Sequence, residues 1–342
     1  MARGRESTGA SERRRPKSRR GLSHDSPLLG GPLSVGAGAE TPRAPAADFE
    51  PHPDELELPR PQDSARPAPR GLHELIPPSD GPRELDDWGR SQRVFDLMEP
   101  LLDFYYRYWF RVEQRGVQNV PSEGGALLVS NHSGALPPDA PMIMQAIRHE
   151  HPRPRPLYVL GEHWFKGYPG VGMLTNKLGL VAAHSANAQR LLRDEGRLAL
   201  VFPEGQKATR KLYWQRYRLR RFGRGGFVRT AMKAGVPIVP TAVVGAEEAM
   251  PIFAHLPLLQ RLTGLIYFPV NHAFPHFGLA AALMYLPAKF KIRFLDPIDL
   301  SAYGPEDADD LALVHSLADD VRSRIQCALD RLLSTRGSVW FG

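Results

Sequence analysis

Cysteine is nearly missing from this chain of 342 residues: Cys327 is the only one. A single thiol excludes an internal disulfide and a cysteine-rich metal site. Its place in an apolar C-terminal helical pattern predicts a buried small hydrophobe. Long apolar runs are missing as well. No 18 consecutive apolar residues occur, so a standard membrane-spanning helix is not expected. The best candidate, Gly278 to Leu286, is followed at once by Pro287, Lys289 and Lys291. The arginine-rich first twenty residues have no apolar stretch behind them, so no secretory signal is expected. Residues 1–86 lack any periodic apolar pattern and are rich in Pro, Gly, Ser, Ala and charge. Such a segment cannot bury enough surface to offset its ordering entropy and is predicted to be disordered. This tail explains why the apolar fraction, 42%, is a little low. Residues 87–342 are ample for one core.

Acidic residues are missing from one further region. None lies between Glu204 and Glu247, while ten Lys or Arg do, interleaved with Tyr213, Trp214, Tyr217 and Phe222. A patch of one sign attracts anions: CoA phosphates, anionic lipid headgroups or a phosphorylated acceptor. At about 1 kcal/mol per basic residue, four or five contacts would dock it on an anionic bilayer. The plainer reading is a solvated face whose partner acids lie elsewhere in the fold. Basic residues with aromatics and a pI of 9.6 also fit nucleic acid, but no nucleic-acid motif is present and none is expected as partner. Gly223, Gly225 and Gly226 precede a predicted helix, whose amides could cap it or face an anion.

What the chain does have is the stretch Ser130-Asn-His-Ser-Gly-Ala-Leu-Pro-Pro-Asp139, led by the apolar run Ala126 to Val129. This reads as a short buried strand ending in a loop that carries a histidine and, later, a carboxylate. A neutral imidazole takes a proton near physiological pH, and a carboxylate fixes its tautomer and stabilises the imidazolium. His132 and Asp139 are therefore a candidate base and its orienting partner. Ser133 has no Gly-x-Ser-x-Gly elbow around it and is not an expected nucleophile. Two further segments follow in order: an apolar run ending in Phe202-Pro203-Glu204-Gly205, and a helical stretch, Gly226 to Ala234, leading to Val236-Pro-Ile-Val-Pro240. Each sits at a strand end or start, where open α/β sheets place their crevice.

That ordered set resembles the glycerolipid acyltransferase superfamily, over about residues 105 to 300. Asn131-His132 with Asp139 is similar to the family's first motif, Phe202 to Gly205 to its third, and Val236 to Pro240 to its fourth. The resemblance implies acyl transfer from a thioester, acyl-CoA or acyl carrier protein, to a lipid hydroxyl. It implies His132 as general base, Asp139 as its orienter, and an acceptor held by Phe202, Pro203, Glu204 and Gly205, with Lys207 and Arg210 beside them. No metal or resident cofactor is implied. The implied partner is a membrane surface with anionic lipid, and the implied location is cytoplasmic, peripheral to the inner face of a membrane. Two departures stand out. Six residues, not four, separate His132 from Asp139, with Pro137 and Pro138 just before the carboxylate, which favours a loop. The region of the second motif, Gly179 to Ser185, has no arginine for an acceptor phosphate; His184 stands there instead. A neutral acceptor fits both. A catalytically inactive lipid-binding or tethering protein on this scaffold is the alternative from another class, and a nucleic-acid binder a third.

The rest of the chain alternates strand and helix patterns, which predicts an α/β fold with a mostly parallel sheet flanked by helices. A helix is expected from about Ser91, rich in aromatics and kinked or restarted at Pro100; it either packs on the sheet or lies in a bilayer interface. Arg111 to Gln118 reads as a strand, Ser185 as a helix N-cap, and about Glu306 to Leu333 as a helix. His163 and His184 are placed near the cleft. His272 and His276 are structural, since Pro275 spoils a helical pair.

Overall fold

The computed structural model describes residues 85–134, 137–161, 171–263, 269–274 and 284–342. The predicted tail up to residue 84, His163, His276 and most of the stretch from Gly278 lie outside the described residues. The strands are β1 (Glu113–Arg115), β2 (Ala126–Ser130), β3 (Leu157–Gly161), β4 (Leu180–Ala182), β5 (Leu198–Val201), β6 (Ile238–Val244), β7 (Ala254–His255), β8 (Pro269–Val270) and β9 (Lys291–Phe294). Seven form one sheet in the order β1-β9-β6-β2-β5-β3-β4, and β7 pairs with β8. Every pairing in the large sheet is parallel except β6 with β9. The predicted α/β class with a mostly parallel sheet is what forms.

Helices α1 (Gln92–Asp103), α2 (Asp139–Glu150), α3 (Val171–Lys177), α4 (Ser185–Gln189), α5 (Gln206–Thr209), α6 (Gly226–Ala234), α7 (Ala246–Ala249), α8 (Pro257–Thr263) and α9 (Leu311–Ser334) complete the chain. The central strand β2 is buried along its whole length, as a parallel strand covered on both faces must be. Leu127 and Val129 join α6 and α9 in one core, while Ala126 and Leu128 join α2 and the aromatics Tyr105, Tyr106 and Phe110 in the other. The two-residue side-chain period of a strand makes this division.

Several local expectations are corrected. Pro100 starts no second helix: α1 runs through it and passes into a π-helical turn, Phe104–Trp109, with the Phe104 amide donating to the Pro100 and Leu101 carbonyls. Tyr105 and Tyr106 join the core on this face of the sheet across that change of register, and buried Phe95 packs under the Arg90 and Arg148 guanidinium groups. Only Glu113–Arg115 of the expected strand pairs, because Gly116 turns at φ 82° into a 3₁₀ turn. His184, not Ser185, caps α4, its Nδ1 accepting from the Ala186 amide. The C-terminal helix begins at Leu311 behind an Asp310 cap. Cys327 is exposed, since it stands about 200° around α9 from Ile325, which is core. Val236 to Pro240 opens β6 at the edge of the sheet opposite the ends of β2 and β5, because β6 runs parallel to β2.

Candidate active site

β2, β5 and β6 lie side by side and end at the same edge of the sheet. The segments that follow them carry His132, Glu204 and, in α7, Glu247. Asn131 anchors the first loop. Its side-chain Nδ2 donates to the Val243 carbonyl at 2.9 Å, and its Oδ1 accepts from the Val243 amide at 2.8 Å. The next residue, His132, places Nδ1 2.8 Å from Asp139 Oδ2. The six intervening residues thus form a loop whose ends meet. Ser133 closes it, donating to the same carboxylate from its amide at 2.8 Å and from its hydroxyl at 2.9 Å. Asp139 is the first residue of α2, where the helix dipole favours a negative charge.

An ionised carboxylate only accepts, so Nδ1 carries the hydrogen and Nε2 keeps its lone pair. The Asp139 side chain is sealed from solvent, while that of His132 is 15% exposed. Phe202 stacks on the imidazole, ring centroids 4.0 Å apart and planes inclined by 20°. Gly134 is required where it stands: an added Cβ would meet Ile252 Cδ1 at 2.4 Å and the Thr209 carbonyl at 2.8 Å. The Ser133 amide is committed to Asp139. Tyr285 packs edge-on to Tyr105 and Phe110, near enough to Asp139 to feel its charge. Burial, reinforced by the Asp139 charge, raises its pKa and keeps it a phenol.

Phe202 to Gly205 is a tight turn in which the Gly205 amide donates to the Phe202 carbonyl at 3.0 Å. Gly205 adopts φ 55°, which glycine accepts without strain. Glu204 turns inward. Its Oε2 accepts from the Arg220 amide at 3.0 Å and lies 3.5 Å from Lys211 Nζ. Lys211 Nζ is also 2.6 Å from Glu247 Oε1, and Glu247 accepts from the Tyr217 amide. Burial pulls the Lys211 pKa down, but the two carboxylates outweigh it and the net shift is upward. Burial raises that of Glu247. Beside this cluster a recess of about 10 Å³ is lined by Gly134, Lys211, Tyr213, Arg216, Glu247 and Ile252.

The remaining predicted residues are placed as follows. Lys207 and Arg210 are exposed, on and just after α5. His184 is exposed at the end of edge strand β4, separated from β2 by β3 and β5, about 14 Å at the usual strand spacing; it is not brought to the dyad. His272 bonds through Nε2 to the Met284 carbonyl. Within the basic window, Lys211, Arg216, Arg229 and Lys233 find acids from elsewhere: Glu204 and Glu247, Glu248, and Asp309 for the last two. Sequence reasoning missed Lys211, Glu247 and Tyr285 as neighbours of the site. A signal existed for Glu247: it and Glu248 interrupt a long acid-free stretch.

An imidazole held by a carboxylate at the end of a central parallel strand, with a second strand-end turn against its ring, is an arrangement able to take a proton from a hydroxyl. A model of the Acyltransferase family matches residues 111–244, from β1 to the end of β6. The chain belongs to this family and is an acyltransferase. An uncharacterized protein of Mycobacterium tuberculosis is 44% identical over 72% of this chain and 68% of its own length. A Gallus gallus protein described as "DGAT1/2-independent enzyme synthesizing storage lipids" is 25% identical over 71% of this chain and 65% of its own. The crystal structure of a 1-acyl-sn-glycerophosphate acyltransferase, PlsC, from Thermotoga maritima overlays with a TM-score of 0.47 and 18% identity, covering 72% of this chain and 83% of that one.

Proposed function

We propose that this acyltransferase moves a fatty acyl group from a thioester, acyl-CoA or acyl carrier protein, to the hydroxyl of a glycerolipid or another lipid alcohol. The observation that carries the reading is the 2.8 Å contact between His132 Nδ1 and Asp139, with Nε2 left free to accept. In this reading Nε2 takes the acceptor's hydroxyl proton as its oxygen bonds to the thioester carbonyl carbon. The tetrahedral intermediate then expels the thiolate, the carbon–sulfur bond breaks, and the imidazolium returns the proton to sulfur. Asp139 stabilises the imidazolium through Nδ1. A base so placed contributes about 10²–10⁴ in rate. Phe202 keeps the ring plane fixed. Pro203, Gly205, Lys207 and Arg210 border the acceptor's side, and Glu204 acts through the turn that it anchors.

The arginine missing between Gly179 and Ser185 supports a neutral acceptor, as does the description of the vertebrate relatives as enzymes synthesizing storage lipids. A lipid acceptor favours work as a peripheral protein at the inner face of a membrane. No helix among the described residues is long and apolar enough to cross one. The test is incubation of the purified full chain with labelled acyl-CoA or acyl carrier protein thioester and a panel of acceptors: diacylglycerol, a long-chain alcohol, glycerol 3-phosphate and lysophosphatidic acid. Labelled ester on a neutral lipid is the expected result. Preference for a phosphorylated acceptor would overturn the neutral assignment, and no product with any acceptor would leave a tethering protein on an acyltransferase scaffold.

A further inference from the structure

Charge in this chain is segregated. From Gly205 to Leu295 it carries fourteen Lys or Arg and two acids, Glu247 and Glu248, both buried. The rest of the chain carries thirty Lys or Arg against thirty-five Asp or Glu. All of the net positive charge therefore lies in one segment, and neither of its acids faces solvent. Some of that charge is neutralised in the fold, as described for Lys211, Arg216, Arg229 and Lys233. Arg218, Arg221 and Arg224 are exposed and have no ion-pair partner among the described residues.

Large apolar side chains stand out from the same segment. Trp214 is 59% exposed, Phe253 46%, Leu258 69% and Leu262 73%. They belong to pieces of chain that are joined. The Tyr213 amide donates to the Ile252 carbonyl at 2.7 Å, the Tyr213 and Phe253 rings are 6.0 Å apart, and His255 Nε2 bonds to the Arg210 carbonyl at 2.9 Å. Leu258 and Leu262 share one face of α8, a turn apart. Ile252 is the residue that packs on Gly134, two positions from His132, so this surface borders the site.

Folding gives no reason for exposed Trp and Leu in the same segment as unneutralised guanidinium groups. A surface that is anionic at its headgroups and apolar beneath them satisfies both. We infer that residues 214–224 with 253–262 form the face that docks on an anionic lipid bilayer and so brings the lipid acceptor to His132. The inference rests on the acyl-transfer reading for its purpose, but docking is measurable without turnover.

A rival face exists on α1, where Leu97, Leu101, Phe104 and Tyr108 form an exposed stripe. Its neighbouring charges are paired, Arg148 with Glu99 at 2.7 Å and Arg107 with Asp103 at 3.0 Å, so it offers apolar contact without free positive charge. The experiment is co-sedimentation of the full chain with vesicles of phosphatidylcholine alone or mixed with phosphatidylglycerol. Binding should require phosphatidylglycerol and weaken with salt. Changing Arg218, Arg221 and Arg224 together to Gln should weaken partition about a hundredfold, whereas the triple change to Lys should keep it. Leu258→Ser with Leu262→Ser should cost about tenfold or more, and Leu97→Ser with Leu101→Ser should cost nothing. His132→Ala should partition like the unaltered chain, which separates failed docking from failed catalysis. The inference is overturned by a Gln triple that binds like the parent, by a Lys triple that binds no better than the Gln triple, by loss of binding confined to the α1 pair, or by salt-sensitive binding to nucleic acid with none to either vesicle.

Discussion

Asp139 and Glu204 are both sealed carboxylates, each in the segment that follows one of two neighbouring strands. They differ in what holds them. Asp139 accepts three hydrogen bonds from one short loop, and one donor, His132, reaches the surface. Glu204 is held by the Arg220 amide and by Lys211, whose side chain is itself 2% exposed, and behind Lys211 stands buried Glu247. Nothing in the second group meets solvent. A carboxylate whose charge is transmitted to an accessible imidazole can act on a molecule outside the protein. One whose counter-charge is sealed can only fasten segments together, here the turn after β5, the chain near Lys211 and the start of α7. Burial of an acid does not mark the chemistry; exposure of its partner does.

The most severe way to break this comparison is His132→Ala. Its kcat should fall about 10²–10⁴-fold while the thermal midpoint changes little, because the ring stands at the mouth of the site. A variant that keeps half of its turnover would move the base elsewhere and leave the two carboxylates equivalent. Lys211→Met is the counterpart on the sealed side. It leaves two carboxylates buried and unpaired, a loss of about 3–5 kcal/mol in urea unfolding, while kcat per folded molecule changes far less than in His132→Ala. A loss under about 1 kcal/mol, the worth of an exposed pair, would mean that water reaches the cluster.

Ser133→Ala sharpens the comparison from within the dyad loop. It removes one bond to the Asp139 carboxylate and leaves the amide bond in place. About 1.5–3 kcal/mol of stability is at stake. Turnover should fall by much less than in His132→Ala, since the contact between His132 and Asp139 remains. Measuring both quantities on one preparation separates an orienting loop from a participating hydroxyl: a collapse of kcat at unchanged stability would make Ser133 part of the reaction.

How much of this could be read beforehand follows from distance along the chain. The dyad is local: an apolar run predicts a buried strand, the strand predicts a loop at the sheet's edge, and two prolines hold off the helix until Asp139. The pair Lys211–Glu247 spans 36 positions and depends on β5 and β6 both flanking β2, which no periodic pattern announces. The far-edge position of Val236 to Pro240 was implicit in the parallel arrangement, because a strand that ends at the crevice must start away from it. The exposure of Cys327 was implicit too, since Ile325 and Leu329 define a stripe from which it is rotated. Pro100 is different in kind. Its effect on α1 is set by how firmly Phe95 and Tyr105 are packed, a tertiary quantity.

The smallest expected effect is alkaline, and the sealed side contributes to it. The Lys211 pKa ends above its ordinary 10.5, two carboxylates outweighing its burial. That of Tyr217 lies well above its ordinary 10.0, first because it is buried and then because Glu248 and Glu247 are close. Both groups therefore hold their protons more tightly folded than unfolded. Their contribution is fully present below the unfolded values and is lost as pH rises through the folded ones, so stability should decline above about pH 10. The Glu247 shift has the same sign, but it starts from 4.5, so the loss that it brings begins in the acid range. Tyr217→Phe isolates the tyrosine. It loses the hydroxyl's bonds to Glu248 at 2.8 Å and from the Gly245 amide at 2.7 Å, so the thermal midpoint should drop at neutral pH. With no phenol left to ionise at that position, the further decline between about pH 9 and 11 should flatten. Asp139 bears on this window through Tyr285, whose pKa its charge helps to raise; His132→Ala leaves that pair in place and should show the same alkaline slope as the unaltered chain. If Tyr217→Phe left the slope intact, the strain of a tyrosine at φ 62° would have to be held by the packing around it rather than by its place in the ionic cluster.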